Sequence, residues 1–320
     1  MAVYTEITDD DLTAFVADYD IGRVVSLKGI AEGVENSNYL LQTDRANYIL
    51  TIYEKRVAEA DLPFFLGLMD HLAARNFPCP TPIHGRDGAA LRRLAGKPAA
   101  IVSFLTGLSV RRPTADHCAQ LGTALAQMHL AGTGFPVRRD NALSVAGWRP
   151  LFDGSRSRAD TLEPGLADMI AHELTAIERD WPRDLPNGVI HADLFPDNVF
   201  FLDNRLSGFI DFYFACNDFY AYDLAVCLNA WCFETDGGFN ITKARALLTA
   251  YRRQRPTAPD EIAALPLLAR GAALRFLLTR LHDWLNQVPG ALVRPKDPLE
   301  YWRKLMFHRG VTDPGAYGLE

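Results

Sequence analysis

The sequence predicts an α+β fold of two lobes, a small N-terminal α/β lobe with an antiparallel sheet and a larger, mainly helical C-terminal lobe. Short apolar runs separated by turn residues fill the first hundred positions, whereas three- and four-residue apolar spacing dominates beyond about residue 105. The length of 320 residues fits two units of roughly 150 residues each. We therefore expect lobes over residues 1–105 and 106–320, with a ligand bound between them.

The first lobe is expected to hold two helices and five strands. The predicted elements are, in order, a helix over 10–18, strands over 22–28, 38–41 and 48–53, a helix over 58–75, and strands over 91–94 and 99–104. Prolines at 78, 80 and 82 forbid continuation of the second helix. Asp87-Gly88 and Gly96 provide turns around the last two strands.

The second lobe is expected to be mostly helical around one short hairpin. Thr114 is a predicted cap for a helix over 115–131, because apolar residues recur there at helical spacing. Residues 132–164 are rich in turn formers and are predicted to be irregular. Further helices are predicted over 166–179, 219–233, 241–253 and 261–287, with strands over 199–202 and 207–210.

Composition excludes several classes of protein. The 33 basic and 39 acidic residues give a net charge of −6 without a basic run, which argues against a nucleic-acid partner. The run at 98–108 has about half of the roughly 20 residues that a membrane-spanning helix needs, so no membrane partner is expected. Five scattered cysteines without a CxxC pair, behind an acidic N-terminus, indicate reduced thiols and a cytoplasmic location. The oligomeric state is left open.

The strongest chemical pattern runs from His191 to Asn198. His191-Ala192-Asp193, followed by four residues and Asn198, has the H-x-D-x-x-x-x-N spacing of a protein-kinase catalytic loop. In that loop the Asp accepts the proton of a substrate hydroxyl and the Asn binds magnesium. We therefore predict that Asp193 is the base and that His191 supports the loop. Asp197 is expected to stabilise the loop rather than to bind metal.

A second carboxylate follows an apolar strand. Asp211, in Ile210-Asp211-Phe212-Tyr213, takes the position of the metal-binding Asp of the D-F-G motif, with Tyr213 in place of the glycine. Carboxylate and amide oxygens suit magnesium, so Asn198 and Asp211 are the predicted metal ligands. Asp223 lies in a helical run, and it is equally compatible with a helix-surface carboxylate and with an anchor for the catalytic loop.

A glycine-containing loop near the N-terminus is the candidate phosphate lid. Gly29 and Gly33 let backbone N–H groups approach a triphosphate, and the polar run 36–38 follows them. The next strand should carry a kinase lysine, but Thr51 occupies that position. Lys55 lies four residues further on, roughly 13 Å at about 3.3 Å per residue. Lys28 is the other basic candidate, although a solvated surface lysine is the more ordinary interpretation.

Together these residues resemble the kinase-like phosphotransferases of the aminoglycoside and choline kinase type, and within them the members that phosphorylate homoserine. The resemblance covers nearly the whole chain and includes the segments 29–33, 35–38, 49–51, 210–213 and 222–225. It implies a bilobal protein-kinase-like fold and ATP- and Mg²⁺-dependent phosphorylation of the L-homoserine hydroxyl, a step in threonine biosynthesis. It also implies that Thr51 is a normal choice for such enzymes.

The resemblance and the motifs assign roles to the following residues: Asp193 as catalytic base; Asn198 and Asp211 as metal ligands; Gly29, Gly33, Asn36, Ser37, Asn38, Ser103, Phe104 and Leu105 as nucleotide-binding residues; His191 and Asp223 as support; and Arg275, Arg280 and Asp283 as substrate candidates. Arg forks match carboxylates, which a homoserine site requires. Structural salt bridges between helices are at least as good an interpretation of the last three.

Other functions stay open at this point. Another small-molecule kinase of the same fold would act on choline, methylthioribose or an aminoglycoside. A choline site needs an aromatic cage, and the aromatic residues of the segments 212–214 and 219–220 could build one. The missing lysine suggests a non-catalytic nucleotide-binding regulator, but a binder needs no general base such as Asp193. A metal-dependent hydrolase is a weaker third possibility, because such enzymes usually gather several His ligands.

Overall fold

The computed structural model describes residues 5–30, 36–54, 57–287 and 295–319, which divide into two compact units. The first unit comprises the described residues up to Gly107, together with Phe135–Arg139 and Ser207–Tyr213. The second comprises Leu108–Gly134, Asp140–Leu206 and the described residues from Phe214 onward. Asp211 therefore belongs to the first unit, whereas Asp193 and Asn198 belong to the second.

An antiparallel sheet of five strands forms the centre of the first unit, with the strand order β1-β2-β3-β5-β4. The elements of this unit are α1 (Asp9–Ala17), β1 (Val24–Gly29), β2 (Ser37–Thr43), β3 (Asn47–Ile52), α2 (Leu62–Ala73), β4 (Arg92–Leu94) and β5 (Lys97–Ser103). Thr8 caps α1, since its hydroxyl accepts a hydrogen bond of 3.1 Å from the N–H of Asp11.

Alternation along the strands separates the two faces of this sheet. Leu41, Leu50 and Ile101 are fully buried on the face that packs with Phe15 of α1. Each such side chain contributes about 1.5–3 kcal/mol when it is removed from water. Thr51 follows Leu50 in β3, so its side chain lies on the opposite face.

The second unit is mainly helical. Its helices are α3 (Ala115–Ala131), α4 (Val145–Asp153), α5 (Arg156–Ala159), α6 (Leu166–Asp180), α7 (Tyr220–Trp231), α8 (Ile241–Gln254), α9 (Pro259–Leu285) and α10 (Pro298–Arg309). Its short strands are β6 (Leu108–Ser109), β7 (Asn187–Ile190), β8 (Val199–Leu202) and β10 (Cys216–Phe219), while β9 (Arg205–Phe209) contains the boundary between the units. β7 pairs with β10, and β6 pairs with β8.

Two helices of this unit position the site most directly. α3 approaches α8 at Gly122, where an added Cβ would lie 2.1 Å from the carbonyl oxygen of Leu247. Only glycine permits that approach.

α9 is long and apolar enough to cross a bilayer by length and composition, but 67% of its most apolar stretch is buried within the protein. It is the central helix of the unit. The expectation of no membrane partner rested on residues 98–108 of the sequence and did not consider this longer apolar helix.

The predicted antiparallel sheet and the helical second half are confirmed, whereas the prediction for residues 132–164 is wrong. Residues 132–164 were expected to be irregular, yet they contain α4 and α5. α4 forms despite Pro150 because Trp148 is fully buried and donates a 2.7 Å hydrogen bond to the carbonyl oxygen of Leu143. Tertiary packing therefore overrides the turn-rich composition.

Candidate active site

The predicted catalytic loop lies in the second unit, between the paired strand β7 and strand β8. Ala192 adopts a left-handed conformation with φ of 63°, which is uncommon for a residue other than glycine. The loop then turns tightly, since the N–H of Phe195 donates to the carbonyl oxygen of Asp193 at 2.8 Å and that of Asn198 donates to Phe195 at 2.9 Å. This turn brings the two predicted functional side chains together.

Asp223 of α7 holds the backbone at the start of the loop. Its carboxylate accepts hydrogen bonds from the backbone N–H groups of His191, at 2.8 Å, and Ala192, at 2.9 Å. The side chain has no exposed surface. These two bonds fix the strained residue directly before Asp193, and they settle the two interpretations of Asp223 against a surface carboxylate.

A buried network extends from Asp223 through α3 and α8. A carboxylate only accepts hydrogen bonds, so Nε2–H of His129 donates to Asp223 at 3.1 Å and Nδ1 accepts from the hydroxyl of Tyr251 at 2.7 Å. Nη1 of Arg255 donates to the same hydroxyl at 3.3 Å and to Glu261 at 2.9 Å. Four helices thus meet in one chain of hydrogen bonds.

The charges in this network follow from burial and pairing. Burial raises the pKa of Asp223, but the hydrogen bonds that it accepts from His129 and from the backbone N–H of His191 favour the charged form, and the pKa lies below its usual range. Burial lowers the pKa of His129, against the opposing effect of Asp223. At neutral pH the pair is therefore a carboxylate and a neutral imidazole.

Asp193 is held on two sides. Nδ2 of Asn198 donates to the carbonyl oxygen of Asp193 at 2.8 Å and to its Oδ2 at 3.3 Å. Nη1 of Arg275, on α9, lies 3.4 Å from Oδ1 of Asp193 and 3.4 Å from the carbonyl oxygen of Ala192. The Asp193 side chain remains 18% exposed, so it is partly accessible to solvent.

Arg275 is itself rigidly placed, and only 4% of its side chain is exposed. Its guanidinium carbon lies 3.8 Å from the centroid of the Phe276 ring and 5.3 Å from that of Phe214. The other two substrate candidates lie elsewhere on α9. Arg280 donates to Glu300 at 2.7 Å and lies over the Tyr301 ring, and Asp283 is half-buried near the end of the helix.

The predicted metal ligand Asp211 lies in the first unit, directly after β9. Its φ of 62° is again left-handed, and its side chain is exposed. The strand before it fits closely, because a Cβ at Gly208 would lie 2.4 Å from the carbonyl oxygen of Pro78. Phe212, the next residue, is 1% exposed. Close packing on both sides thus constrains the backbone of the segment that carries Asp211.

Three residues of the predicted phosphate loop bind other parts of the first unit. Asn38 accepts a 2.8 Å hydrogen bond from the hydroxyl of Thr51, its partner across β2 and β3. Asn36 accepts from the N–H of Glu54 at 3.3 Å, and the Ser37 hydroxyl donates to Glu54 at 2.7 Å. These contacts hold residues 36–38, at the described end of the loop, within the first unit. Gly29 ends β1, whereas Gly33 and the alternative cation Lys55 lie outside the described residues.

The predicted adenine-binding segment follows β5. Ser103 is already engaged with Thr81, since its N–H donates to the carbonyl oxygen of Thr81 at 2.8 Å and its hydroxyl accepts from the N–H of Thr81 at 2.8 Å. Phe104 is 41% exposed and Leu105 is half-buried. The backbone groups of these last two residues are the better placed for a nucleotide base.

Lys97 does not replace the missing lysine. Its ammonium pairs with Glu54 and donates to the Thr5 hydroxyl at 2.7 Å. Lys97 shares the parity of Ala99 and Ile101 in β5, so it lies on the α1 face, opposite the face of Thr51.

Sequence reasoning missed His129 and Tyr251. His129 lies on the buried side of the predicted helix 115–131, one position after Met128, and this placement of a titratable residue was an available signal. No pattern in the sequence pairs it with Asp223, 94 residues away.

The site residues suit a magnesium nucleotide better than a protein-built metal cage. Within the described ranges, no group of three His, Cys, Asp or Glu side chains could hold a metal ion. The hydrogen bonds of Asn198 to Asp193 use the amide nitrogen and leave the amide oxygen as a ligand. The amide oxygen of Asn198 in the second unit and the exposed carboxylate of Asp211 in the first are each a type of ligand that magnesium accepts.

Comparison with known proteins extends these observations. The profile of the family described as "Phosphotransferase enzyme family" matches residues 26–257. The homoserine kinase of Paramagnetospirillum magneticum is 67% identical over 100% of both chains, and that of Parvibaculum lavamentivorans is 66% identical over 100% of both. The homoserine kinase of Rhizobium meliloti is 63% identical and covers 100% of this chain and 98% of its own.

Solved structures with the same fold have distant sequences. An amicoumacin kinase in complex with AMP-PNP and Ca²⁺ has a TM-score of 0.70 at 14% identity, covering 96% of each chain. The choline kinase of Cryptosporidium parvum also has a TM-score of 0.70 at 14% identity, covering 94% of each chain. At these identities the likeness concerns the fold alone, and it confirms the expected kinase-like class.

Proposed function

The chain belongs to the phosphotransferase enzyme family, and on that premise we propose that it is a homoserine kinase. It transfers the γ-phosphoryl group of ATP to the hydroxyl oxygen of L-homoserine, which yields ADP and O-phospho-L-homoserine and serves threonine biosynthesis. The observation that carries this conclusion is the 63–67% identity, over essentially whole chains, to relatives named homoserine kinase. The family expected from the sequence is thereby confirmed.

Asp193 is the proposed general base. As the hydroxyl oxygen of homoserine bonds to the γ-phosphorus, the bond from phosphorus to the β,γ-bridging oxygen breaks and the hydroxyl proton passes to Asp193. The hydrogen bonds from Asn198 and Arg275 orient the carboxylate, while its partial exposure keeps it accessible. A positioned base of this kind contributes about 10²–10⁴-fold in rate.

Asn198 and Asp211 are the proposed ligands for Mg²⁺. When bound, the ion neutralises charge that develops on the transferred phosphoryl group. Two features of the chain prepare these ligands. The Asn198 amide nitrogen donates to Asp193, which leaves the amide oxygen for the ion, and the strand packing at Gly208 sets the direction of the Asp211 segment.

The nucleotide is proposed to bind residues of the first lobe, over 1–105. Backbone groups of the segment 29–38 cover the phosphates, and Phe104 and Leu105 contact the base. The second lobe, over 106–320, supplies the base and the acceptor site. Kinases bind phosphates with the backbone N–H groups of such a loop. The contacts of Asn36 and Ser37 with Glu54 therefore help to hold the loop and add no positive charge for the phosphates.

Arg275 is the foremost candidate for the carboxylate of homoserine. It lies beside Asp193, and both of its hydrogen bonds there use a single nitrogen, Nη1, of a group with five N–H donors. Arg280 is already bonded to Glu300, so it is a weaker candidate. Asp283 remains the candidate partner for the substrate ammonium.

The choline alternative loses two of the five aromatic residues on which it rested. A cage for a quaternary ammonium needs exposed aromatic faces. Phe212 is 1% exposed, and the hydroxyl of Tyr213 is bonded to that of Tyr53 at 3.2 Å. Neither residue is available to a cage.

The five cysteines are free thiols and all are buried, which supports a cytoplasmic location.

A substrate panel tests the proposal. Purified protein with Mg·ATP is assayed by coupled ADP release with L-homoserine, L-serine, choline, methylthioribose and kanamycin, and the product is identified by phosphorus NMR. We expect homoserine to have the highest kcat/KM, with serine, one methylene shorter, about 10–200-fold lower. Higher efficiency with choline, methylthioribose or kanamycin would overturn the substrate assignment.

A further inference from the structure

Two departures from the protein-kinase pattern lie together in the first unit. Thr51 stands where kinases carry the strand lysine, and Tyr213 stands where they carry the glycine after Asp211 and Phe212. The hydroxyl of Tyr213 lies 3.2 Å from that of Tyr53, two residues after Thr51. Residues 160 positions apart in sequence are thus joined, and we define Tyr53 and Tyr213, with the neighbouring Thr51 and Asn38, as the hydroxyl cluster.

The cluster is tightly packed. Thr51 is 2% exposed, and its hydroxyl donates to Asn38 at 2.8 Å. The ring of Tyr213 meets those of Tyr53 and Phe65 edge-on, with centroid distances of 5.4 and 5.6 Å. The Tyr213 side chain is therefore held by both its ring and its hydroxyl.

The cluster carries no positive charge. Burial raises the pKa of Tyr213 to about 12, and burial also raises the pKa of Tyr53 well above its usual range. Both phenols are protonated at neutral pH. The cluster cannot pair with phosphates as a lysine does, so its contribution must be structural.

What the cluster determines is the position of the turn that contains Asp211. Asp211 has a left-handed backbone, which is uncommon for a residue other than glycine. Tyr213 lies two residues beyond it and is bonded to the end of β3. The bond joins the Asp211 turn to the strand in which a kinase lysine would lie.

We propose that Tyr213 and Tyr53 act as one positioning device, in which the contact between their hydroxyls holds Asp211 for its metal. This inference rests on the proposed kinase function, but it concerns metal and nucleotide binding and not the acceptor. The hydroxyl cluster keeps Asp211 in a binding-competent conformation before the nucleotide arrives.

The test measures binding rather than turnover. Mn²⁺ affinity of the protein–ADP complex is measured by the EPR signal of free Mn²⁺, for the unmodified protein and for Tyr213→Phe, Tyr53→Phe and the double variant. Tyr213→Phe keeps the ring contacts and removes only the hydroxyl. We expect each single variant to weaken Mn²⁺ binding about five- to tenfold, as the loss of one hydrogen bond would.

Non-additivity distinguishes one device from two independent effects. If Tyr53 and Tyr213 act through the same bond, the double variant loses no more than about tenfold, whereas independent effects would multiply to about 25–100-fold. Tyr48→Phe, which removes a hydroxyl from the opposite face of β3, is the matched control and should change nothing.

The outcomes decide the inference in either direction. Unchanged Mn²⁺ affinity in Tyr213→Phe, or multiplied losses in the double variant, would overturn it. A melting temperature within a few degrees of the unmodified protein, measured without metal, ensures that the loss is local. If homoserine proved not to be the acceptor, these binding results would be unaffected, so the two proposals fail separately.

Discussion

Nε2 of His129 lies 3.1 Å from Oδ2 of Asp223, and neither side chain has any exposed surface. The same carboxylate accepts the backbone N–H groups of His191 and Ala192, just before the proposed base. The catalytic loop therefore depends on a charge that is stabilised entirely within the protein. Removing one partner of a buried charge costs about 3–5 kcal/mol.

His129→Ala is expected to lower kcat by about 10–100-fold, because Asp223 would lose a donor and hold the loop less firmly, while KM for ATP changes little. His129→Gln retains a donor and should recover part of the loss. Steady-state kinetics well below the melting temperature give both constants. The control is Gln127→Ala, an exposed position on the same helix. Equal kcat values for the Ala variants at 127 and 129 would show that the network does not position Asp193.

Stability should fall as the pH is lowered below about 6.5. Burial lowers the pKa of His308 to about 3, so between these values the unfolded chain binds a proton that the folded chain does not. His129 adds an effect of the same sign, since burial lowers its pKa as well. A buried histidine of this kind reduces the free energy of unfolding by up to about 1.4 kcal/mol per pH unit.

The contribution of His308 can be isolated by His308→Gln. Its ring accepts from the Tyr317 hydroxyl at 2.8 Å and donates to Asn229 at 3.2 Å, so the variant is destabilised at pH 7. Urea titrations at pH 4.5 to 7 give its free energy of unfolding. The slope of that free energy against pH should correspond to about one proton fewer taken up on unfolding than in the unmodified protein. An unchanged slope would place the titration elsewhere.

Gly122→Ala should destabilise the second unit by about 1–3 kcal/mol, since the new methyl would collide with the carbonyl oxygen of Leu247, 2.1 Å from its Cβ. It should also reduce kcat, because α3 carries His129 and α8 carries Tyr251. Gly67→Ala in α2 is the matched control. The nearest atoms there are 3.6 Å away, so the gain in helix propensity of about 1 kcal/mol should dominate. Thermal unfolding of both variants provides the comparison, and equal melting temperatures would argue against a tight crossing.

Arg275→Lys should raise the KM for homoserine about tenfold and lower kcat, because lysine keeps the charge but loses the planar fork and its stacking on Phe276. Arg280→Lys should change both constants by less than about twofold, since Arg280 contacts Glu300 and the carbonyl oxygen of Asp297. Initial rates over a homoserine titration give the answer. Equal effects from the two variants would remove Arg275 from the acceptor site.

The fold was largely readable from local signals. Thr114 and the apolar spacing after it predict the helix Ala115–Ala131 with its observed bounds. β7 and β10 were missed because each has four residues and is stabilised by pairing with a strand distant in sequence. α4 was missed because Pro150 and its neighbouring turn residues contradict the packing of Trp148 that stabilises it.

The candidate site was readable only where its residues are close in sequence. Asp193 and Asn198, five positions apart, form the expected constellation in one loop. His129, Tyr251 and the contact of Tyr213 with Tyr53 depend on helices and strands that meet only after folding. Single-sequence patterns contain no record of such pairings.

The central claim is that Asp193 takes the proton of the homoserine hydroxyl, and Asp193→Asn tests it most directly. Asn keeps the size of Asp but cannot accept the proton. Asp197→Asn is the matched control four positions away, because the Asp197 side chain is 76% exposed and lies 3.7 Å from Lys296. The measurement is kcat with saturating homoserine and Mg·ATP, alongside nucleotide affinity and melting temperature. We expect kcat to fall about 10²–10⁴-fold in Asp193→Asn alone, with the other quantities nearly unchanged. Near-normal turnover by Asp193→Asn, or an equal loss in Asp197→Asn, would contradict the account.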